Sequence, residues 1–266
     1  MFIKLSKFGC IRVTGPDAKK FLQGQLTCNI DLLLPGTNCM GAHCNPQGRV
    51  ISLFYLVNRQ DHYYLLMLRS LVPLALTALK KYAVFFKAEL TDASETIGVI
   101  GHTNDYIPAL KDAAQIRLSD TRSLTLADNL VVANYEPKST DQAAWELADI
   151  HEQIPFIYPE TSGLFLPHDL NLDKLNAIHF DKGCYTGQEI IARMHYRGKR
   201  KNHLSYARIA SERSPQLGAD IYALHDETKR MIGSLVNAVK TNASYYDALI
   251  ITPEFIENSD VLFSIR

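Results

Sequence analysis

Apolar residues occur in this chain only in short stretches, such as the one within Ile51–Val57. A helix that crosses a membrane needs roughly 20 consecutive apolar residues, so the sequence predicts none. Short apolar stretches bounded by turn residues are instead typical of β-strands. The N-terminal residues also lack the long apolar core of a secretory signal. We therefore expect a soluble, cytoplasmic protein that does not contact a membrane.

The predicted elements change in kind near residue 204. Before it, the turn Asn45-Pro46-Gln47-Gly48 predicts a β-hairpin. Helices are expected in four places: after Asp17, after Ser70, over 104–114 and over 139–153. After residue 204, helical periodicity disappears and short strand-like segments follow one another, which is typical of a small β-barrel or β-sandwich.

Neither the charge nor the cysteine content identifies a partner. The 28 Lys and Arg residues balance the 28 Asp and Glu residues, so nucleic acid is neither favoured nor excluded. An odd number of cysteines without a secretory signal argues against a disulfide framework. Cys39, His43 and Cys44 lack the second pair of ligands that a zinc site needs, so we predict no metal and expect these cysteines to be small buried side chains.

The segment 179–198 has a recognisable helix signal. Thr186 and Glu189 have the spacing of a capping box, in which each side chain bonds a backbone N–H group at the start of a helix. The spacing predicts a helix that begins near Gly187. Arg193 and Arg197 are four residues apart and would share one face of it.

Cys184 lies just before this predicted helix start. Unpaired backbone N–H groups, the helix dipole and the positive charge of Lys182 all favour a thiolate there. Gly183 and Gly187 allow the backbone to bend closely around the thiol. We expect a reactive cysteine with a pKa below the ordinary value of about 8.5. The alternative is a buried cysteine that only fills space.

Residues 182–199, KGCYTGQEIIARMHYRGK, resemble the signature of the YgfZ family of folate-binding proteins. This family is related to the T-protein, the aminomethyltransferase of glycine cleavage. The likeness covers most of 8–203 through the segments 15–27, 42–52, 80–90 and 162–180. Around Cys184 the signature comprises Lys182, Gly183, Tyr185, Thr186, Gly187, Gln188, Glu189, Arg193 and Arg197.

The resemblance implies an α+β, GcvT-like fold with three lobes around a central folate cleft. Antiparallel sheets with flanking helices would form two lobes, and a small β-barrel would form the third. We expect a folate-binding region over 1–198, with one lobe from 1–40 and 155–198 and a second from 41–154. The barrel would then occupy 199–266.

The resemblance also implies that the protein binds tetrahydrofolate or another reduced folate. Two aromatic residues of the family's folate site correspond to Phe8 and Trp145, and aromatic rings suit a flat pterin. A basic cluster would suit the carboxylates of the glutamate tail, RNA phosphates, or simply solvent. Its members are Lys182, Arg193, Arg197, Lys199, Arg200 and Lys201.

The function implied is that of an accessory protein for the assembly or repair of iron–sulfur enzymes, including enzymes that thiolate tRNA, with Cys184 as the reactive group. Its partners would be iron–sulfur assembly proteins or client enzymes, and tRNA would be involved only indirectly. Three alternatives stay open: a folate-dependent one-carbon transferase, an RNA-binding module that uses 193–201, and a cysteine hydrolase that pairs Cys184 with His179, His195 or His203. Whether the protein is an enzyme is not decided by the sequence.

Glycine-cleavage activity is not expected. In the T-protein an acidic pair follows the hairpin turn, whereas this chain has Ser52 and Leu53 in the corresponding place. A serine at neutral pH cannot supply the anion that would accept a proton from a folate amine.

Overall fold

The computed structural model describes residues 2–103, 110, 112–135, 141–198, 201–223, 231–253 and 262–265. The helices are α1 (Ala18–Gln25), α2 (Val72–Ala83), α3 (Asn129–Ala133), α4 (Gln142–His151) and α5 (Gln188–Arg197). The strands are β1 (Phe2–Lys4), β2 (Phe8–Thr14), β3 (Asn38–Cys44), β4 (Val50–Asn58), β5 (Tyr63–Leu68), β6 (Glu89–Asp92), β7 (Ile97–Thr103), β8 (Ala114–Arg117), β9 (Arg122–Asp128), β10 (His203–Ala210), β11 (Asp220–Ala223), β12 (Met231–Lys240), β13 (Tyr245–Thr252) and β14 (Leu262–Ile265). Within these ranges no helix has the length and apolar character that crossing a membrane requires.

One antiparallel sheet has five strands in the order β3-β4-β5-β2-β6. Its β3–β4 hairpin confirms the predicted turn, in which the N–H of Gly48 donates to the carbonyl of Asn45 at 2.8 Å. Gly48 has φ +73°, a left-handed conformation that favours glycine. Nearly every residue of β4 and β5 is buried, so the middle of this sheet is covered on both faces.

A second antiparallel sheet has four strands in the order β1-β7-β9-β8. The indole of Trp145, on α4, packs against Gly101 of β7. A Cβ atom at position 101 would lie 2.7 Å from Cζ3 of the indole, so only glycine leaves room for the ring. This contact fixes α4 on the sheet.

The C-terminal strands form a closed barrel in the order β10-β13-β12-β11-β14. All its pairs are antiparallel except β10–β14. Its interior holds a small cluster of buried residues: Ala207, Ile209, Ile221, Leu235, Tyr246, Ala248 and Ile250. The fold class is therefore confirmed, both in its antiparallel sheets with flanking helices and in its C-terminal barrel.

Four of the predicted helices are confirmed, namely α1, α2, α4 and α5, but the side-chain caps predicted for α1 and α2 are wrong. The carboxylate of Asp17 does not cap α1, because it accepts the N–H of Lys87 at 2.8 Å instead. Helix α2 begins at Val72 and has no side-chain cap, so Ser70 does not cap it. The prediction over 104–114 falls mainly on residues outside the described ranges, and its last residue, Ala114, begins β8 instead.

The strand pairing crosses the lobe boundary predicted between residues 40 and 41. Strand β2 pairs with β5 and β6, so the five-stranded sheet contains residues from both sides of that boundary. Strand β1 pairs with β7 in the other sheet. Non-local pairings of this kind leave no local signal in the sequence, and the division of 1–198 into lobes stays a prediction.

The packing of Trp145 on Gly101 gives a testable consequence. Gly101→Ala should destabilise the protein by about 1–3 kcal/mol, because the added methyl group overpacks the indole. Denaturant unfolding would measure the change. Gly24→Ala is the matched control, because a Cβ atom at this α1 position meets nothing within 4 Å. It should leave stability unchanged or raise it by up to about 1 kcal/mol. Equal losses in both variants would contradict the packing argument.

Candidate functional site

The segment between His179 and Gly187 runs across the end of α1. The N–H of His179 donates to the carbonyl of Thr27 at 2.9 Å, and the N–H of Thr186 donates to the carbonyl of Gly24 at 3.2 Å. The hydroxyl of Thr186 donates to Oε1 of Gln25 at 3.1 Å. Backbone and side-chain bonds therefore fix both ends of the segment that carries Cys184.

Lys182 is the central anchor of this segment. Its side chain is directed inward, and the residue is only 8% exposed. Nζ donates to the carbonyls of Gln23, Leu26 and Cys28 at 2.8, 2.6 and 2.7 Å. Burial lowers the pKa of Lys182 to about 8. These three bonds use all three donors of the ammonium group, so none is left for a folate carboxylate.

The predicted capping box is wrong. Helix α5 has Gly187 as its N-cap, with φ +83° and no side-chain cap, because the Thr186 hydroxyl is bonded to Gln25. A Cβ atom at position 187 would lie 2.5 Å from the carbonyl oxygen of Asn45. Glycine is needed there because the start of α5 presses against the β3–β4 turn.

Cys184 is exposed at the surface of this segment. Of the other four cysteines, Cys10, Cys28 and Cys44 are buried and Cys39 is half-buried. The alternative of a space-filling cysteine is therefore wrong for position 184. The thiol lies three residues before the α5 cap rather than against it, and the Lys182 ammonium points at backbone carbonyls.

Of the remaining signature residues, Tyr185 is buried, Gln188 is half-buried and the others are exposed. Tyr185 is buried against Lys182, whose Nζ lies 5.0 Å from the ring centroid, and burial raises the pKa of this tyrosine. Glu189, Arg193 and Arg197 are exposed on α5. Near them His195 stacks on Phe180 at 3.6 Å between ring centroids, and Tyr196 is 65% exposed. Of the predicted basic cluster, Lys199 and Arg200 lie outside the described residues.

Phe8 and Trp145 are brought together by a buried ion network. The ammonium of Lys7 lies 5.5 Å from the Phe8 ring and bonds Asp149 at 2.8 Å. Arg122 lies 4.8 Å from the Trp145 ring and bonds the other oxygen of Asp149 at 2.9 Å. Asp149 therefore links the two predicted folate residues. Sequence reasoning missed this network, because its members are far apart in the chain.

Both aromatic rings are already covered by protein. Phe8 and Trp145 are each 3% exposed, and a ring edge of Phe156 packs on Phe8. Nε1 of Trp145 is buried and has no hydrogen-bond acceptor among the described residues. An unpaired buried donor costs about 1–3 kcal/mol, so this edge of the indole suits an acceptor atom of a ligand.

The β3–β4 hairpin contains two further buried polar side chains, His43 and Ser52. His43 and Ser52 are paired in register, so their side chains share one face, and both are buried. Neither ring nitrogen of His43 nor the Ser52 hydroxyl has a partner within the described ranges. Burial lowers the pKa of His43 to about 4, so the ring is neutral at neutral pH.

Relatives of known sequence point to one family. A tRNA-modifying protein YgfZ of Aliivibrio fischeri is 31% identical, with 99% of this chain and 88% of that protein covered. A tRNA-modifying protein YgfZ of Edwardsiella ictaluri is 34% identical over 86% of this chain and 77% of its own. An uncharacterized protein of Haemophilus influenzae is 34% identical over 90% and 84%. No family model matches the chain.

A solved structure matches the fold. The glycine cleavage system aminomethyltransferase T from Bartonella henselae superposes with a TM-score of 0.64. The match covers 95% of this chain and 78% of that one, at 13% sequence identity. It shows that the two proteins share an architecture.

The buried neutral His43 should make stability depend on pH. Its pKa in the folded state, about 4, lies below the unfolded value near 6.5. Between these values the unfolded chain binds more protons, so stability is complete above pH 6.5 and falls as the pH approaches 4. The loss should reach up to about 3 kcal/mol.

The measurement is the free energy of unfolding from pH 4 to 7 in the parent chain and in His43→Asn. The difference between the two should shrink steadily as the pH falls. His62→Asn is the control, because this half-buried imidazole is paired with the exposed carboxylate of Asp61. A constant difference would contradict the assignment of a buried neutral ring.

Proposed function

Since the chain belongs to the YgfZ family of tRNA-modifying proteins, we propose that it is a folate-binding accessory protein for iron–sulfur enzymes. In this proposal the thiol of Cys184 is the reactive group. The clients include iron–sulfur enzymes that thiolate tRNA, so tRNA is reached only through them. The other partners are iron–sulfur assembly proteins, and the protein acts in the cytoplasm.

The observation that carries the proposal is an exposed thiol on a rigidly held segment. Cys184 is open to solvent, whereas Lys182 and Thr186 on either side of it are bonded to α1. A partner can therefore reach the sulfur without any part of the core opening. A fixed nucleophile also loses little conformational entropy when it reacts.

We propose that a reduced folate contacts Trp145 at one atom, the indole nitrogen Nε1. In this proposal the unpaired Nε1 donates to an acceptor on the pterin after the side chains that bury it have moved. Phe8, but not Trp145, lines a cleft of about 400 Å³ with Lys4, Ser6 and Arg69. Both ring faces are covered, so contact at the indole edge replaces the stacking expected from the sequence. When bound, tetrahydrofolate would supply a carrier for a one-carbon unit.

Glycine cleavage is disfavoured by the chemistry at Ser52. Its hydroxyl is buried, and the nearest titratable partner across the hairpin, His43, is neutral at pH 7. Neither group supplies an anion that would accept a proton from a folate amine. A transferase with a different acceptor stays an alternative to the accessory role.

The role of Cys184 can be tested by rescue. In cells that lack the endogenous relative, Cys184→Ala should fold normally but fail to restore tRNA thiolation, measured as the fraction of thiolated nucleoside. The control Cys10→Ala removes a buried thiol and should restore it. Full rescue by Cys184→Ala would show that the exposed thiol is dispensable and would overturn the proposal.

Folate binding can be tested independently of cells. Calorimetric titration with tetrahydrofolate should show saturable binding that Trp145→Phe weakens roughly five-fold, the effect of losing one hydrogen bond of about 1 kcal/mol. Tyr196→Phe, which changes an exposed ring on α5, should bind as the parent does. Quenching of the single tryptophan would give a second readout in the parent. Unchanged affinity in Trp145→Phe would remove Trp145 from the folate site.

A further inference from the structure

Two further cysteines meet at the edge of β3. The bridge between Leu26 and His43 and the bond from the Thr27 N–H to the Ala42 carbonyl at 2.9 Å align residues 26–28 antiparallel to this strand. This alignment places Cys28 opposite Gly41. Cys39 lies two residues from Gly41 along the same strand and so has the same face.

Gly41 makes the meeting possible. A Cβ atom at this position would lie 2.5 Å from Sγ of Cys28, so the sulfur occupies the space that a side chain would fill. Cys28 and Cys39 therefore lie on the same face of the strand, and each thiol shifts the pKa of the other. The two sulfur atoms are therefore neighbours, although ten residues separate them in the sequence.

The two thiols have different surroundings. Cys28 is fully buried, and both the neighbouring Cys39 thiol and burial raise its pKa. Cys39 is half-buried, and the neighbouring Cys28 thiol and the charge of Lys182 lower its pKa against the effect of burial. Lys182 is held in place by the Cys28 carbonyl at 2.7 Å. The pair thus combines one accessible thiol of thiolate character with one buried thiol beside it.

We propose that Cys28 and Cys39 are a redox-active dithiol that exchanges with small-molecule disulfides, as a second thiol site distinct from Cys184. The arrangement supplies an attacking thiol on a half-buried residue and a buried resolving thiol on the same face of the strand.

The chemistry balances in two exchange steps. The Cys39 thiolate attacks one sulfur of a disulfide R–S–S–R, whose S–S bond breaks and releases one thiolate R–S⁻. Cys28 then loses its proton and attacks Sγ of Cys39, which forms the Cys28–Cys39 bond and releases the second thiolate. The two released thiolates take up the protons of the two cysteines, so the protein is oxidised by two electrons and the reagent becomes two thiols.

The experiment uses the full chain carrying Cys184→Ser, which removes the competing exposed thiol. The folded protein is equilibrated with glutathione and glutathione disulfide at several ratios, quenched with acid, alkylated and mapped by mass spectrometry. Cleavage before Asp31 separates Cys28 from Cys39, because Asp31 is the acidic residue between them. Fragmentation then distinguishes Cys39 from Cys44 on the second peptide.

The expected product has lost two hydrogen atoms, contains a Cys28–Cys39 bond and is restored by excess glutathione. With the same background, Cys28→Ser should stop at one glutathione adduct on Cys39, and Cys39→Ser should leave buried Cys28 reduced and without adduct. The proposal would be overturned if Cys28 and Cys39 stayed reduced at ratios of glutathione disulfide to glutathione that modify Cys184 in the parent chain. A Cys39–Cys44 bond would also overturn it. The Cys184→Ser chain keeps both Cys28 and Cys39. Poor folding of the Cys28→Ser or Cys39→Ser variant would therefore not affect the result obtained with that chain.

Discussion

The arrangement around the site depends on the buried ammonium group of Lys182. Its three N–H bonds end on carbonyls that lie at and just after the end of α1, where a helix leaves its last carbonyls without partners. A single cation therefore satisfies several acceptors and ties a distant segment to the helix. Because Cys184 is two residues from this lysine, the position of the exposed thiol is determined by a contact made in the protein interior.

The same interaction shows why the site could be predicted only in part. A long signature marked the segment that contains the exposed Cys184, and turn chemistry predicted the hairpin at Asn45–Gly48. The direction of Lys182 could not be predicted, because its acceptors lie more than 150 residues away in the chain. Thr186 illustrates the same limit. Its spacing to Glu189 fits a capping box, but Gln25 offers the hydroxyl another partner once the chain has folded.

The fold was predicted more completely where the signal is local. Short strand-like segments after residue 204 do form a barrel, and four expected helices are present. Which strands pair with one another in each sheet was not predictable from local signals. Strands β1 and β2 are separated by three residues, yet they belong to different sheets. Burial of apolar side chains rather than chain proximity decides such pairings, since each strand has an apolar face that must be covered.

The unpaired polar atoms are informative about how this chain differs from an aminomethyltransferase of the same fold. A buried carboxylate at Ser52 would need a cation or several donors, and the adjacent His43 is held neutral by burial. The neutral Ser52 hydroxyl avoids the free-energy cost of an unpaired buried charge. At neutral pH neither Ser52 nor His43 supplies the hairpin with an anion that could accept a proton. In our proposals the reactive groups are cysteines instead: Cys184, which lies on the surface, and Cys28, whose carbonyl is bonded to Lys182. Movement of the Cys28 backbone would therefore displace Lys182, which also anchors the segment that contains Cys184. The two proposed thiol sites are connected through this lysine.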